Sequence, residues 1–154
     1  MEQQLADYRN RLKELQGKIK ELHQFQGCSR LTDVTPNNAP QYLEWSSRGY
    51  GAASLYYSMA IELYNKIDTL LDTARSIAFL DKAKVALAGE KKDTAAARNQ
   101  YVSRDEDVIS ALDMRSEAEA LMAFLKNKAQ EYRMNHEATK KIAYGDNFGV
   151  GDHG

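Results

Sequence analysis

The chain has 154 residues, 21 of them Lys or Arg and 22 Asp or Glu, giving a formal charge of −1. That length suits one domain, and the balance excludes both a histone-like basic chain and an acidic DNA mimic. Only 2 Pro and 9 Gly accompany 28% charged residues and a mean hydropathy of −0.63, which suits long amphipathic helices rather than a turn-rich β protein. The single cysteine, Cys28, can form neither an intrachain disulfide nor a cysteine zinc site. No apolar run reaches the length of a membrane span and no signal-peptide pattern opens the chain, so the expectation is a cytoplasmic protein without membrane contact.

Residues 1–26 carry the cleanest pattern. Leu5, Leu12 and Ile19 recur every seven residues, as do Met1, Tyr8, Leu15 and Leu22 at an offset of three. This is the a/d seam of a coiled-coil helix. A seam so narrow needs a partner helix. The candidates are the rest of its own domain or a second copy, and the connector that follows tips the reading toward self-association through Leu5, Tyr8, Leu12, Leu15, Ile19 and Leu22. Gly17 sits on the outer face and weakens the helix by about 1 kcal/mol relative to Ala.

Across residues 27–51 the periodicity fails. Pro36, Asn37, Asn38 and Pro40 read as helix breakers, and Ser46, Ser47, Gly49 and Gly51 as loosening residues, so an irregular connector is expected, with Trp45 tucked against the core. A long helix is then predicted from about Ala52 to Leu87. Ala60, Leu63, Ile67, Leu70, Ala74 and Ile77 step by three and four residues, and Tyr56, Tyr57 and Tyr64 widen the stripe. Gly89 marks its stop, and a second connector runs to Ser103, with local helix expected at Thr94–Arg98. Ser103 with Glu106 three residues on reads as a capping box. The acidic run Asp105–Asp107 suits the positive end of a helix dipole better than a metal site. The last helix carries Ala111, Ala118, Met122, Leu125, Ala129 and Tyr132 on one stripe and reaches Ile142. Residues 52–144 thus form the helical core domain, and residues 145–154 read as a flexible glycine-rich tail.

The fold class predicted is all-α: an elongated bundle of two long helices plus the N-terminal coiled-coil helix. No catalytic set emerges. His136-Glu137 lacks the second histidine of a metalloprotease helix, Lys140 standing in its place, and the C-terminal glycines lack the Lys-Ser/Thr of a phosphate loop. The expectation is a protein that is not an enzyme, with no metal and no cofactor.

One stretch suggests binding. Between Lys82 and Arg104 six basic residues (Lys82, Lys84, Lys91, Lys92, Arg98 and Arg104) stand against Glu90 and Asp93, with Tyr101 among them. Cations pair with phosphates and aromatic rings stack on unpaired bases, so this stretch is compatible with single-stranded nucleic acid. A solvated charged loop explains the same residues, and repetition in a homo-oligomer would turn the stretch into a basic belt.

The stretch from Tyr56 to Ile142 resembles the UvsY-like recombination mediators of tailed phages. The likeness lies in Tyr56-Tyr57 and Tyr64 opening a long helix, the basic run Lys82-Ala83-Lys84-Val85-Ala86-Leu87, the acidic opening Arg104-Asp105-Glu106-Asp107-Val108, and the late basic residues from Arg133 to Lys141. The resemblance implies a non-enzymatic accessory protein that assembles into rings, binds single-stranded DNA and helps a RecA-like recombinase displace a single-strand-binding protein. DNA contacts would fall on Lys82, Lys84, Lys91, Lys92 and Arg98. Met1–Leu22 is more regular than the family's N-terminus, and Gly89-Glu90 stands where the family carries basic and tyrosine residues. Two rival readings rest on the same helices: a scaffolding component of a phage particle or other helical assembly, using protein–protein contacts alone, and a coiled-coil adaptor regulating a host protein.

Overall fold

In the computed structural model the chain is an all-α helical bundle, without strands among the described residues. The structure describes residues 1–29, 31–89 and 93–148, with side chains at 26–29 and 146–148 left aside. Helix α1 spans Glu2–Lys20, and short 3-10 segments follow at Glu21–Ser29 and Leu31–Asp33. Helix α2 spans Ala39–Ile77 and runs through a π-helical segment, Ala78–Lys82, into α3, Ala83–Ala86. Helix α4 spans Ala95–Val102 and α5 spans Glu106–Phe148.

The connector expected at 27–51 is corrected over its second half: helix α2 begins at Ala39, not near Ala52. Pro40 falls in the first helical turn, where the missing N–H has no intrahelical partner to lose. Asn38 closes the turn ahead of it, its Oδ1 accepting from Thr35 N (2.6 Å) and its Nδ2 donating to Asp33 O (2.9 Å). Trp45 therefore lies on a helix, half-buried, its ring 5.5 Å from that of Tyr42. The tail is corrected too: α5 continues to Phe148, and residues 149–154 lie outside the described ones.

At the far end of α2 the core positions step from Ala74 to Ala78 to Ala83. The last step is one residue too long for an α-helix. The π-turn absorbs it, with Ala83 N–H donating to Ala78 O five residues back. Helix α4 packs on this segment and on α3. Thr94 caps α4, its Oγ1 accepting from Ala97 N at 3.2 Å.

The capping box expected at Ser103 is also corrected. Ser103 closes α4 and donates its hydroxyl to Gln100 O. Asp105 caps α5, its Oδ1 accepting from Asp107 N (3.1 Å) and Val108 N (3.2 Å). A carboxylate reaches two amides at the helix start and complements the dipole, which a hydroxyl does less well.

The chain divides into two compact units, residues 1–15 with 59–121 and residues 16–58 with 122–154. In the first, Leu5 and Leu12 of α1 pack with Leu63, Ile67, Leu70 and Leu71 of α2 and with Val108, Ala111, Met114 and Ala118 of α5. In the second, Leu22, Val34, Ala39, Ala53, Leu125 and Tyr132 are buried. Tyr132 Oη donates to Leu22 O at 3.2 Å, its ring meets Phe25 edge-on, and one edge lies against Gly49.

Candidate nucleic-acid interface

Of the residues expected to grip phosphate, Lys82 follows from the π-turn, which directs it toward the start of α5. Its Nζ lies 2.9 Å from Asp105 Oδ2 and 2.6 Å from Asp107 Oδ2. Hydrogen bonds to Asp107 and Asp105 outweigh desolvation and hold its pKa well above the ordinary lysine value. Arg98 of α4 is engaged just as fully. Its Nε and Nη2 donate to the two oxygens of Asp93 at 2.7 and 2.8 Å, Nη1 reaches Phe79 O at 3.4 Å, and the guanidinium lies 5.6 Å from the Phe79 ring centre. The bidentate bond holds the Asp93 carboxyl below its ordinary value.

Lys84 and Arg104 are exposed and enter no ion pair among the described residues. Lys91 and Lys92 lie outside the described residues. Tyr101 is half-buried, and with Lys82 and Arg104 it lines one open cleft of about 470 Å³. The same cleft is lined by Glu2, Asp105, Glu106 and Asp107, so its charge balance repels a phosphate backbone. Lys84 and Arg98 do not line it. The candidates among the described residues share one stretch of sequence but not one cationic surface, and the unit that carries them is itself net acidic. Sequence reasoning missed the acidic partners of Lys82 because they lie more than twenty residues away, beyond α4.

The N-terminal seam has a different fate from the one expected. Leu5, Leu12, Leu15 and Leu22 are buried within this one chain, while Tyr8 and Ile19 are half-buried. The chain's own helices cover it, so α1 packs intramolecularly and the seam needs no second copy.

A serine–histidine pair also escaped sequence reasoning. Ser46 Oγ lies 3.0 Å from His136 Nδ1, beside a cleft of about 240 Å³ lined by Ser47, Tyr50, Arg133 and Glu137. Ser46 is fully buried, and its hydroxyl also lies 2.8 Å from Tyr42 O and 3.1 Å from Leu43 O, both within its own helix. The contact with His136 links α2 to α5 within the second unit. Among the described residues no group of His, Cys, Asp and Glu could hold a metal ion, and no helix is long and apolar enough to cross a membrane.

No family model, curated protein or solved structure matches this chain. The likeness to UvsY-like mediators thus rests on residue pattern alone.

Proposed function

We propose that this chain is a structural component of a protein assembly, acting by protein–protein contact along its long helices rather than by turnover of a substrate. The observation that carries the reading is the outward face of α5. Large apolar side chains stand exposed on it among the charged ones, Ile109 and Leu112 in the first unit and Phe124 and Met134 in the second. Such side chains left in water are the kind that a protein partner covers. The engagement of Lys82 and Arg98 by carboxylates supports the same choice, because it removes two of the cations a polyanion would need.

A second reading, the single-stranded-DNA recombination mediator, draws on the exposed Lys84 and Arg104. In it these cations grip phosphates, and a RecA-like recombinase and a single-strand-binding protein are the partners. A fluorescent, unstructured oligonucleotide titrated with the protein at low salt separates the two. The contact reading expects no change in anisotropy. Binding that falls steeply with salt and disappears in Lys84→Glu/Arg104→Glu would replace it with the mediator reading.

A further inference from the structure

The second unit holds a polar cleft whose hydrogen-bonding groups the fold does not use up. One turn of α2 supplies Ser46, Ser47 and Tyr50, and one turn of α5 supplies Arg133, His136 and Glu137. All six belong to the unit of residues 16–58 with 122–154. Spacings of three and four residues bring Arg133, His136 and Glu137 to one face of α5, and Tyr50 to the face of α2 that carries Ser46 and Ser47. The floor is fixed. Ser46 is fully buried and its Oγ lies 3.0 Å from His136 Nδ1, which holds the imidazole in place and leaves Nε2 without a partner among the described residues.

Arg133 enters no ion pair and no hydrogen bond among the described residues. The two acids nearest it in sequence are both taken by lysines, Glu131 by Lys128 at 2.8 Å and Glu137 by Lys140 at 3.3 Å. Its N–H donors therefore reach the cleft without an acceptor. Glu137 offers Lys140 only Oε1, so its second oxygen is uncommitted. The hydroxyls of Ser47 and Tyr50 have no partner among the described residues either, and each can donate or accept. These groups select by charge. A phosphate would meet Arg133 but also the like charge of Glu137, and a diamine would meet Glu137 but also Arg133. A molecule with one negative and one positive end satisfies both.

We propose that this cleft binds a free amino acid, its carboxylate on Arg133 and its ammonium on Glu137. A guanidinium meets a carboxylate through two parallel hydrogen bonds, which fixes the orientation of that end. The ammonium brings donors, which the uncommitted oxygen of Glu137 accepts. Ser47, Tyr50 and His136 Nε2 line the space between the two ends and serve whatever polar atoms the ligand's side chain carries. The cleft volume of about 240 Å³ lies below the roughly 300–1,000 Å³ of sites for drug-sized ligands, so one small metabolite fills it. The imidazole is already held by Ser46, so binding does not have to order it. The event is binding without turnover, and it goes beyond the contact reading above.

The test follows the His136 ring resonances of the full chain by NMR, assigned with His136→Gln, while pools of the standard amino acids are added at millimolar concentration. At least one amino acid is expected to shift them saturably. Acetate and methylammonium, which carry one end each, should bind about tenfold more weakly or worse. Arg133→Gln and Glu137→Gln should each weaken amino-acid binding about tenfold or more. Both side chains are exposed, so helicity by circular dichroism should not change. Arg48→Gln, which removes a cation paired with Glu44 outside the cleft lining, should leave binding as it was. No shift with any pool overturns the proposal. So does binding that survives both cleft substitutions. Inorganic phosphate that binds better than any amino acid, and better still in Glu137→Gln, makes the cleft an anion site and overturns it as well.

Discussion

Asp105 has two oxygens with two different tasks. Oδ1 accepts the amides of Asp107 and Val108 and starts α5, while Oδ2 takes the ammonium of Lys82 from the end of the π-turn. The carboxylate side chain is only 5% exposed against 35% for Lys82, so breaking the pair leaves the buried acid without its cation. Lys82→Met should lower stability by about 1–2 kcal/mol, read from the urea midpoint. Asp105→Asn keeps a capping oxygen and should cost less than Asp105→Ala, which loses cap and pair together. Because the Lys82 pKa is raised in the folded state, the contribution of this pair is complete below the ordinary lysine pKa, neutral pH included. It is lost only as pH rises through the elevated folded value. An unchanged midpoint in Lys82→Met would reduce the pair to a surface contact worth nothing measurable.

At the scale of one element, α2 shows how glycine and proline depend on place. Pro40 reads locally as a breaker and acts as a starter, because it occupies the first turn. Gly49 reads as a loosening residue, yet a Cβ there would lie 2.6 Å from Tyr132 Cε1. Tyr132 is held by its hydroxyl on Leu22 and its edge on Phe25, so it cannot give way freely. Gly51, two residues on, has nothing within 4 Å of the same hypothetical atom. Gly49→Ala should therefore lower the thermal midpoint even though alanine is the better helix former by about 1 kcal/mol, whereas Gly51→Ala should raise it. If both substitutions stabilise, the close approach of Tyr132 is not what holds a glycine at 49.

For the whole molecule, α1 decides whether the N-terminal leucines belong to one chain or two. Leu12 is 1% exposed and packs in the same cluster as Ile67 and Ala111. Leu12→Ala should cost about 2–4 kcal/mol of folding stability through the cavity it leaves, with the solution mass unchanged. A fall in mass without loss of stability would return α1 to the role of an assembly helix. The amino-acid sequence by itself determined the all-α class. Stripes of period 3.6, few prolines and few glycines allow nothing else, and the covered faces of α1, α2 and α5 were legible residue by residue from Leu5, Ile67 and Ala118. The local helix expected at Thr94–Arg98 is the first part of α4, which runs on to Val102. Only the tertiary structure decided what covers each stripe and what neutralises each charge. A hydrophobic period says that a face must leave water, and any apolar face of the right length can answer it, from the same chain or from another. The charge on Lys82 likewise acquired its meaning from Asp105 and Asp107, brought close by a π-turn that no local pattern announces. A lysine's effect on a ligand depends on the field of its neighbours in space, and that field is absent until the helices have packed.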